Sequence, residues 1–323
     1  FCVESDRMLR PKLSQQTVDV QRRVVTEEFN QQCLNRPYGD LMHHLLPMIY
    51  PGSHPYSWPV IGKTPQHVAE ATRDDLEAWF DRLYMPSNAV LAVTGNISAD
   101  RAFEFAAKWF GDIRDRKTTP RDIPVITAPS APVVKTVYGN VPSTMIVVAF
   151  LMDPYGTDAF LGADAITDLL SAGRAARLYH RLILTANPLF ASCDASITGY
   201  EHQGLLMMTG RLADENTDPH RAADALIAEG RRIMTEGVTA RELQRLKNSR
   251  ISLDADTRAD YLGYGQHIAL EVMHAEQPDE VLTRYKNMDA SLLVDTARRI
   301  FGDTAPAILI YRPEALRKAG NAS

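Results

Sequence analysis

Residues 21–29 read Gln-Arg-Arg-Val-Val-Thr-Glu-Glu-Phe, and the adjacent acids Glu27 and Glu28 are side chains suited to chemistry. A helical carboxylate can serve as a metal ligand or a general base; taken as an isolated pair, the two read first as surface acids, since Glu is seldom buried without a partner. His267, Glu271 and His274, in His-Ile-Ala-Leu-Glu-Val-Met-His, share a helix face. Zinc helices of peptidases set two histidines four apart with the base between them, so this wider spacing reads as a packing helix. His43 and His44 are neighbours whose side chains diverge on a helix. Cys2, Cys33 and Cys193 are too few and too irregularly spaced for a disulfide framework or a thiolate zinc site. Arg174, Arg177 and Arg181 read as a solvated helix face that also serves packing.

The elements that must position these residues follow from composition and pattern. A chain of 323 residues with 45% hydrophobic content can bury a large core and divides most naturally into two compact units. Its formal charge of -5 is spread over interspersed acids and bases, which leaves no basic face for phosphates and excludes nucleic acid as a partner. Long apolar runs such as residues 144–152, Thr-Met-Ile-Val-Val-Ala-Phe-Leu-Met, are far shorter than a bilayer span and read as buried strands, so no membrane span is expected. The opening Phe-Cys-Val-Glu-Ser-Asp-Arg carries no initiator Met and no charged-then-apolar signal pattern, and reads as the interior of a longer chain.

A helix is expected over 14–32, its apolar side formed by Val18, Val24, Val25 and Phe29 and its end by the turn Asn35-Arg36-Pro37-Tyr38-Gly39, with Pro37 as the stop and Gly39 as the bend. A second helix follows the Thr72-x-x-Asp75 capping box, residues 89–95 read as a buried strand, and a further helix runs from Ser98 to Gly111. The charged, proline-containing stretch 114–132 is the expected linker, giving units of 1–128 and 129–323. Beyond it come two strands, helices near 158–171 and 174–185, strands near 189–198 and 203–212, a helix over 218–236 and another from the Thr239-x-x-Glu242 box. The closing helix, polar turn and strand echo residues 74–95, as a duplicated unit would. The fold class expected is α+β, with mixed or antiparallel sheets and helices on one face.

Several blocks in order carry a resemblance: residues 4–8, 24–39, 54–62, 84–97, 173–182, 236–248 and 297–313. Together they resemble the pitrilysin and insulinase superfamily of inverted zinc peptidases, in particular the smaller bacterial members similar to mitochondrial processing peptidase. The resemblance implies two homologous units, each a mixed or antiparallel sheet with helices packed on it, the second unit complete and the first incomplete. It also implies a His-x-x-Glu-His helix carrying two zinc ligands and a general base, with a third ligand on a later helix and a zinc-bound water as the attacking group.

In that pattern Gln21-Arg22-Arg23-Val24-Val25-Thr26-Glu27-Glu28 ends on the third ligand, which assigns Glu28 to the metal and Gln21 to a supporting hydrogen bond beside it. Helix geometry fits the choice: Glu28 lies three, four and seven residues from Val25, Val24 and Gln21, on a side able to face a core, whereas Glu27 points to solvent. No His-x-x-Glu-His occurs in the 323 residues, so the general base and both histidines are expected upstream. The chain alone is expected to be inactive and without bound zinc, although the longer parent would carry Zn2+. Helper halves of the family bear an Arg and a Tyr seven apart, and the matching positions here are Ile183 and Phe190. This chain therefore resembles the zinc-bearing half, acting on peptide or protein substrates beside a homologous helper. The alternatives are a non-catalytic scaffold or assembly subunit and a peptide-binding module without chemistry. A periplasmic or otherwise extracytoplasmic place follows by analogy.

Overall fold

A computed structural model describes residues 1–9, 11–115, 121–199, 201–274, 277 and 279–320. In chain order its helices are α1 (Cys2–Leu9), α2 (Gln15–Phe29), α3 (Leu41–Ile49), α4 (Pro65–Ala69), α5 (Arg73–Leu83), α6 (Ala99–Phe110), α7 (Asp158–Ser171), α8 (Pro219–Glu236), α9 (Ala240–Ala259), α10 (Tyr261–Met273), α11 (Glu280–Asn287), α12 (Ala290–Phe301) and α13 (Glu314–Gly320). The strands are β1 (Val133–Gly139), β2 (Met145–Met152), β3 (Phe190–Ile197), β4 (Gly204–Leu212) and β5 (Ala307–Pro313). The α+β expectation holds, and the capping boxes at Thr72 and Thr239 both form.

Contacts divide the chain into two compact units: the first holds Phe1–Asn30, Ile61–Asp122 and Arg250–Arg284, the second Gln31–Val60, Ile123–Ser249 and Tyr285–Ser323. The compact units are thus not two consecutive stretches cut at residue 128. Residues 31–60 join the second because α3 brings Leu45 and Leu46 onto its sheet, where both are buried.

The second unit is built on one five-stranded sheet in the order β1-β5-β2-β4-β3, with β1 parallel to β5 and the other pairs antiparallel. β2 is central, and Ile146, Val147, Val148, Ala149 and Phe150 are each at most 1% exposed. A strand apolar at every position must be covered on both faces, because successive side chains point to opposite sides. That requirement corrects the expectation of helices on one face. Phe150 meets Phe301 of α12 edge to face at 5.0 Å, with α7 and α8 on the same layer. On the other side α3 places Leu45 against Val147, Ala149, Ala307 and Leu309. Gly230 of α8 is required by this packing, since a Cβ there would stand 2.8 Å from the Phe301 ring.

The first unit is helical, and among the described residues it contains no strand. Residues 89–94, most of the stretch 89–95 expected as a strand, join no sheet among the described residues and take no regular structure. Their exposure still alternates: Ala89, Leu91 and Val93 are exposed, and Val90, Ala92 and Thr94 are half-buried. The period is that of a strand, but a strand exists only when a neighbour takes its backbone groups.

Candidate functional site

The first-unit helix α2 carries the candidate ligand. Ser14 caps it, its Oγ accepting from the Thr17 N–H at 3.2 Å and so satisfying one of the free donors of the first turn. Val18 and Phe29 are buried at 2% exposure each. Arg22 donates to the carbonyls of Ala69 at 3.0 Å and Ala71 at 3.4 Å and pairs with Asp19. The packed stripe is therefore 18, 22, 25 and 29, a helical repeat of four and three.

Gln21, Val24 and Glu28 form a different stripe, and all three are exposed, Val24 to 53%. This corrects the expectation that the Glu28 side faces the core: Glu28 stands about 100° around the helix from buried Phe29. Glu27 is exposed as well and lines a cleft of about 620 Å³ with Asp19, Arg22, Arg23, Thr26 and Ala69. Gln21 remains on the Glu28 stripe, two turns before it.

Fitness for a metal can be judged from the donors present. Among the described residues, no three His, Cys, Asp or Glu side chains come together as a group able to hold one. Glu28 is a single carboxylate, so the described residues do not by themselves fit a catalytic zinc, which needs three protein ligands. His267 on α10 lies 3.4 Å from the buried Glu271 and 4.0 Å from Asp254, and His274 caps the end of the helix. Thiolate chemistry is disfavoured at Cys33 and Cys193: burial raises the Cys33 thiol, with help from the Asp40 charge, and burial pushes Cys193 up to about 12.

In the second unit, the turn after α2 builds a polar pocket that sequence reasoning missed. The chain widens into π turns over Asn30–Leu34 before Pro37. The residue with positive φ is Tyr38, at 60°, whereas Gly39 serves close approach: a Cβ on it would collide with the Gln32 carbonyl oxygen. The Tyr38 phenol donates to the Ser143 carbonyl at 2.5 Å. Asp40 accepts from the Tyr311 hydroxyl at 2.8 Å and pairs with His44 at 3.0 Å, whose other ring nitrogen meets Lys135 at 3.3 Å. Burial, then the hydrogen bond to Asp40, raises the Tyr311 phenol well above its ordinary value. Tyr38, Asp40 and Tyr311 line a cavity of about 250 Å³ together with Asn35, Arg36 and Asn140.

Ile183 ends a π-helical turn, Tyr179–Ile183, and Phe190 opens β3 fully buried. The three arginines do not form a solvated helix face. Arg174 lies in a turn, and Arg177, only 7% exposed, grips Glu242 through Nε at 2.8 Å and Nη2 at 2.9 Å and also reaches the Gly237 carbonyl. Arg181 bridges Glu229 at 3.0 Å and Glu236 at 2.6 Å. The Arg177 hydrogen bond, foremost among several causes, lowers the Glu242 carboxyl to about 2.

Comparison with known proteins gives this architecture its relatives. The chain is 22% identical over 303 residues to the zinc protease PqqE of Helicobacter pylori, an overlap of 91% of this chain and 66% of that protein. It is 25% identical over 281 residues to an uncharacterized zinc protease of Mycobacterium tuberculosis, covering 83% of this chain and 63% of the relative. The chain thus spans two thirds or less of these relatives' own lengths. Among solved structures, a protease from Helicobacter pylori superposes with a TM-score of 0.87 at 18% identity, over 97% of this chain and 75% of that one. The first half of the periplasmic protease PqqL from Escherichia coli gives 0.72 at 17% identity, over 96% and 69%. These likenesses carry the fold. Residues 70–250, more than half of the chain, match the family described as peptidase M16 inactive domain, and the chain accordingly belongs to the M16 peptidases, the pitrilysin family of zinc proteases.

Proposed function

We propose that this chain is part of a zinc-dependent endopeptidase that hydrolyses peptide bonds in peptide or protein substrates. In this reading Glu28 gives the metal one carboxylate and Gln21 supports it. The His-x-x-Glu-His helix, with the general base and two histidine ligands, belongs to residues outside these 323. Residues 1–128 are then the later part of one homologous unit, and residues 129–323 are a complete second one. A homologous helper supplies the Arg and Tyr that Ile183 and Phe190 replace.

One observation carries the reading: the segment Gln21 to Glu28 keeps the ligand pattern in a chain overlapping, over 91% of its length, a protein named as a zinc protease. The exposed position of Glu28 supports it too, because a ligand that works with groups from elsewhere must be reachable. An extracytoplasmic location is part of the proposal, supported by the periplasmic relative PqqL; among the described residues no helix is long and apolar enough to cross a membrane.

A second reading, a scaffold subunit without catalysis, is favoured by the description of the matched family as an inactive domain. Metal analysis and cleavage of an unstructured peptide by the longer protein, with its helper and with or without chelator, separate the two. Stoichiometric zinc and chelator-sensitive cleavage are expected. A longer protein with neither supports the scaffold, and tight zinc held by the 323-residue chain alone overturns the division of ligands.

A further inference from the structure

We propose that a free α-amino acid binds, as its zwitterion, in the cavity that Arg36 and Asp40 share in the second unit. The cavity measures about 250 Å³, and all its lining residues belong to that one unit. Sites for drug-sized ligands run to roughly 300–1,000 Å³, so this one suits a smaller molecule rather than a segment of another chain. Its walls are polar. Among the described residues, the Asn35 and Asn140 side-chain amides and the Arg36 guanidinium, all lining the cavity, have no hydrogen bond or ion pair.

Charge identifies the occupant. Asp40 accepts the Tyr311 hydroxyl on Oδ1 at 2.8 Å, and His44 Nε2 lies 3.0 Å from Oδ2 while Nδ1 of the same ring meets the Lys135 ammonium at 3.3 Å. An ammonium can only donate, so Nδ1 is the acceptor and the ring proton sits on Nε2. Both donors to Asp40 are therefore neutral, and the carboxylate keeps its charge. Each of its oxygens accepts two bonds, which leaves Asp40 able to receive a cationic donor. Tyr38 and Tyr311 meet edge to face at 5.5 Å beside it and offer aromatic surface to an ammonium. Arg36 stands four residues before Asp40 yet forms no ion pair with it, so one cavity holds a cation and an anion that do not neutralise each other. An α-amino acid matches the two, its ammonium toward Asp40 and its carboxylate toward Arg36, whose fork of N–H donors suits a carboxylate. A simple anion would face Asp40, and a simple cation would face Arg36, each meeting a like charge. The two asparagine amides, donors and acceptors both, favour a small polar side chain on the ligand.

Titration of the isotope-labelled 323-residue chain with L-serine and with L-asparagine, followed through the side-chain amide resonances of Asn35 and Asn140, tests this. Saturable shifts are expected with at least one of the two. The α-amide of that amino acid, which keeps only the ammonium, and its N-acetyl derivative, which keeps only the carboxylate, should each bind at least about tenfold more weakly. Arg36→Gln and Asp40→Asn should each weaken binding of the free amino acid by a similar factor, at least about tenfold. Arg36 is exposed and its side chain has no partner among the described residues, so Arg36→Gln keeps the test readable where Asp40→Asn disturbs the bonds to Tyr311 and His44. Absence of saturable shifts with both amino acids overturns the proposal. So does undiminished binding in Arg36→Gln, or a blocked derivative that binds as tightly as the free amino acid.

Discussion

The two units contain the same local pattern and treat it oppositely. Residues 291–313 and 74–95 both run from an amphipathic helix through a short polar turn into an apolar, β-branched segment. In the second unit that segment becomes β5, held between β1 and β2, with Leu309 and Ile310 at most 1% exposed. In the first unit the equivalent segment, 89–94, has the alternation of a strand and, among the described residues, no strand beside it. Among the described residues, most large apolar side chains that stay exposed belong to the first unit as well, among them Phe103 at 74% and Leu262 at 69%. Strand propensity is therefore a preference that only a partner realises.

The largest way to break the contrast is in the second-unit core. Phe150→Ala removes a fully buried ring packed on Phe301 and should cost about 3–5 kcal/mol in denaturant unfolding. A loss close to zero would mean that this sheet is no better packed than the first unit. Glu242→Gln comes next. It leaves Arg177 buried without its anion and should cost about 2 kcal/mol, less than a fully buried pair because Glu242 keeps 21% of its side chain exposed.

The same pair predicts a pH dependence. The Arg177 hydrogen bond foremost, with the Thr239 hydrogen bonds, lowers the folded-state value of Glu242 from 4.5 to about 2, so its contribution is complete above the unfolded value and disappears as pH falls from about 4.5 towards 2. Acid titration of stability should show that component in the wild type and lose it in Glu242→Gln; identical profiles would remove the ion pair from the account.

Smaller effects sharpen the first unit. Ser14→Ala removes the cap of α2 and should cost about 1 kcal/mol, seen as faster amide exchange in the first turn of that helix. Phe103→Ala should change stability by less than about 0.5 kcal/mol, since the ring is already largely in water. A cost comparable to that of Phe150→Ala would show a hidden partner for α6.

Much of the fold was legible because it is written in local terms. The uninterrupted apolar run of β2, the Thr239 capping box and the helix over 218–236 all formed within a residue or two of expectation. What failed depended on distant residues. No spacing rule places Tyr311 on Asp40, 271 positions away, although the i,i+4 spacing of Asp40 and His44 is legible in the sequence. The buried role of Arg177 was hidden for the same reason, its partner Glu242 lying 65 residues on. The orientation of α2 is not legible locally because Val24 and Val18 are alike as apolar positions, and only tertiary packing selects the stripe through Val18, Arg22, Val25 and Phe29.

The central claim is that the exposed stripe of α2 supplies one ligand to a metal site finished by residues outside this chain. The zinc content of the longer protein, measured after dialysis for the wild type, Glu28→Gln and Glu27→Gln, tests it most directly. The account predicts full zinc in the wild type and Glu27→Gln, and at least about tenfold weaker zinc retention in Glu28→Gln, because the amide lacks the anionic charge of a carboxylate ligand. Normal zinc in Glu28→Gln, or loss only in Glu27→Gln, would contradict it.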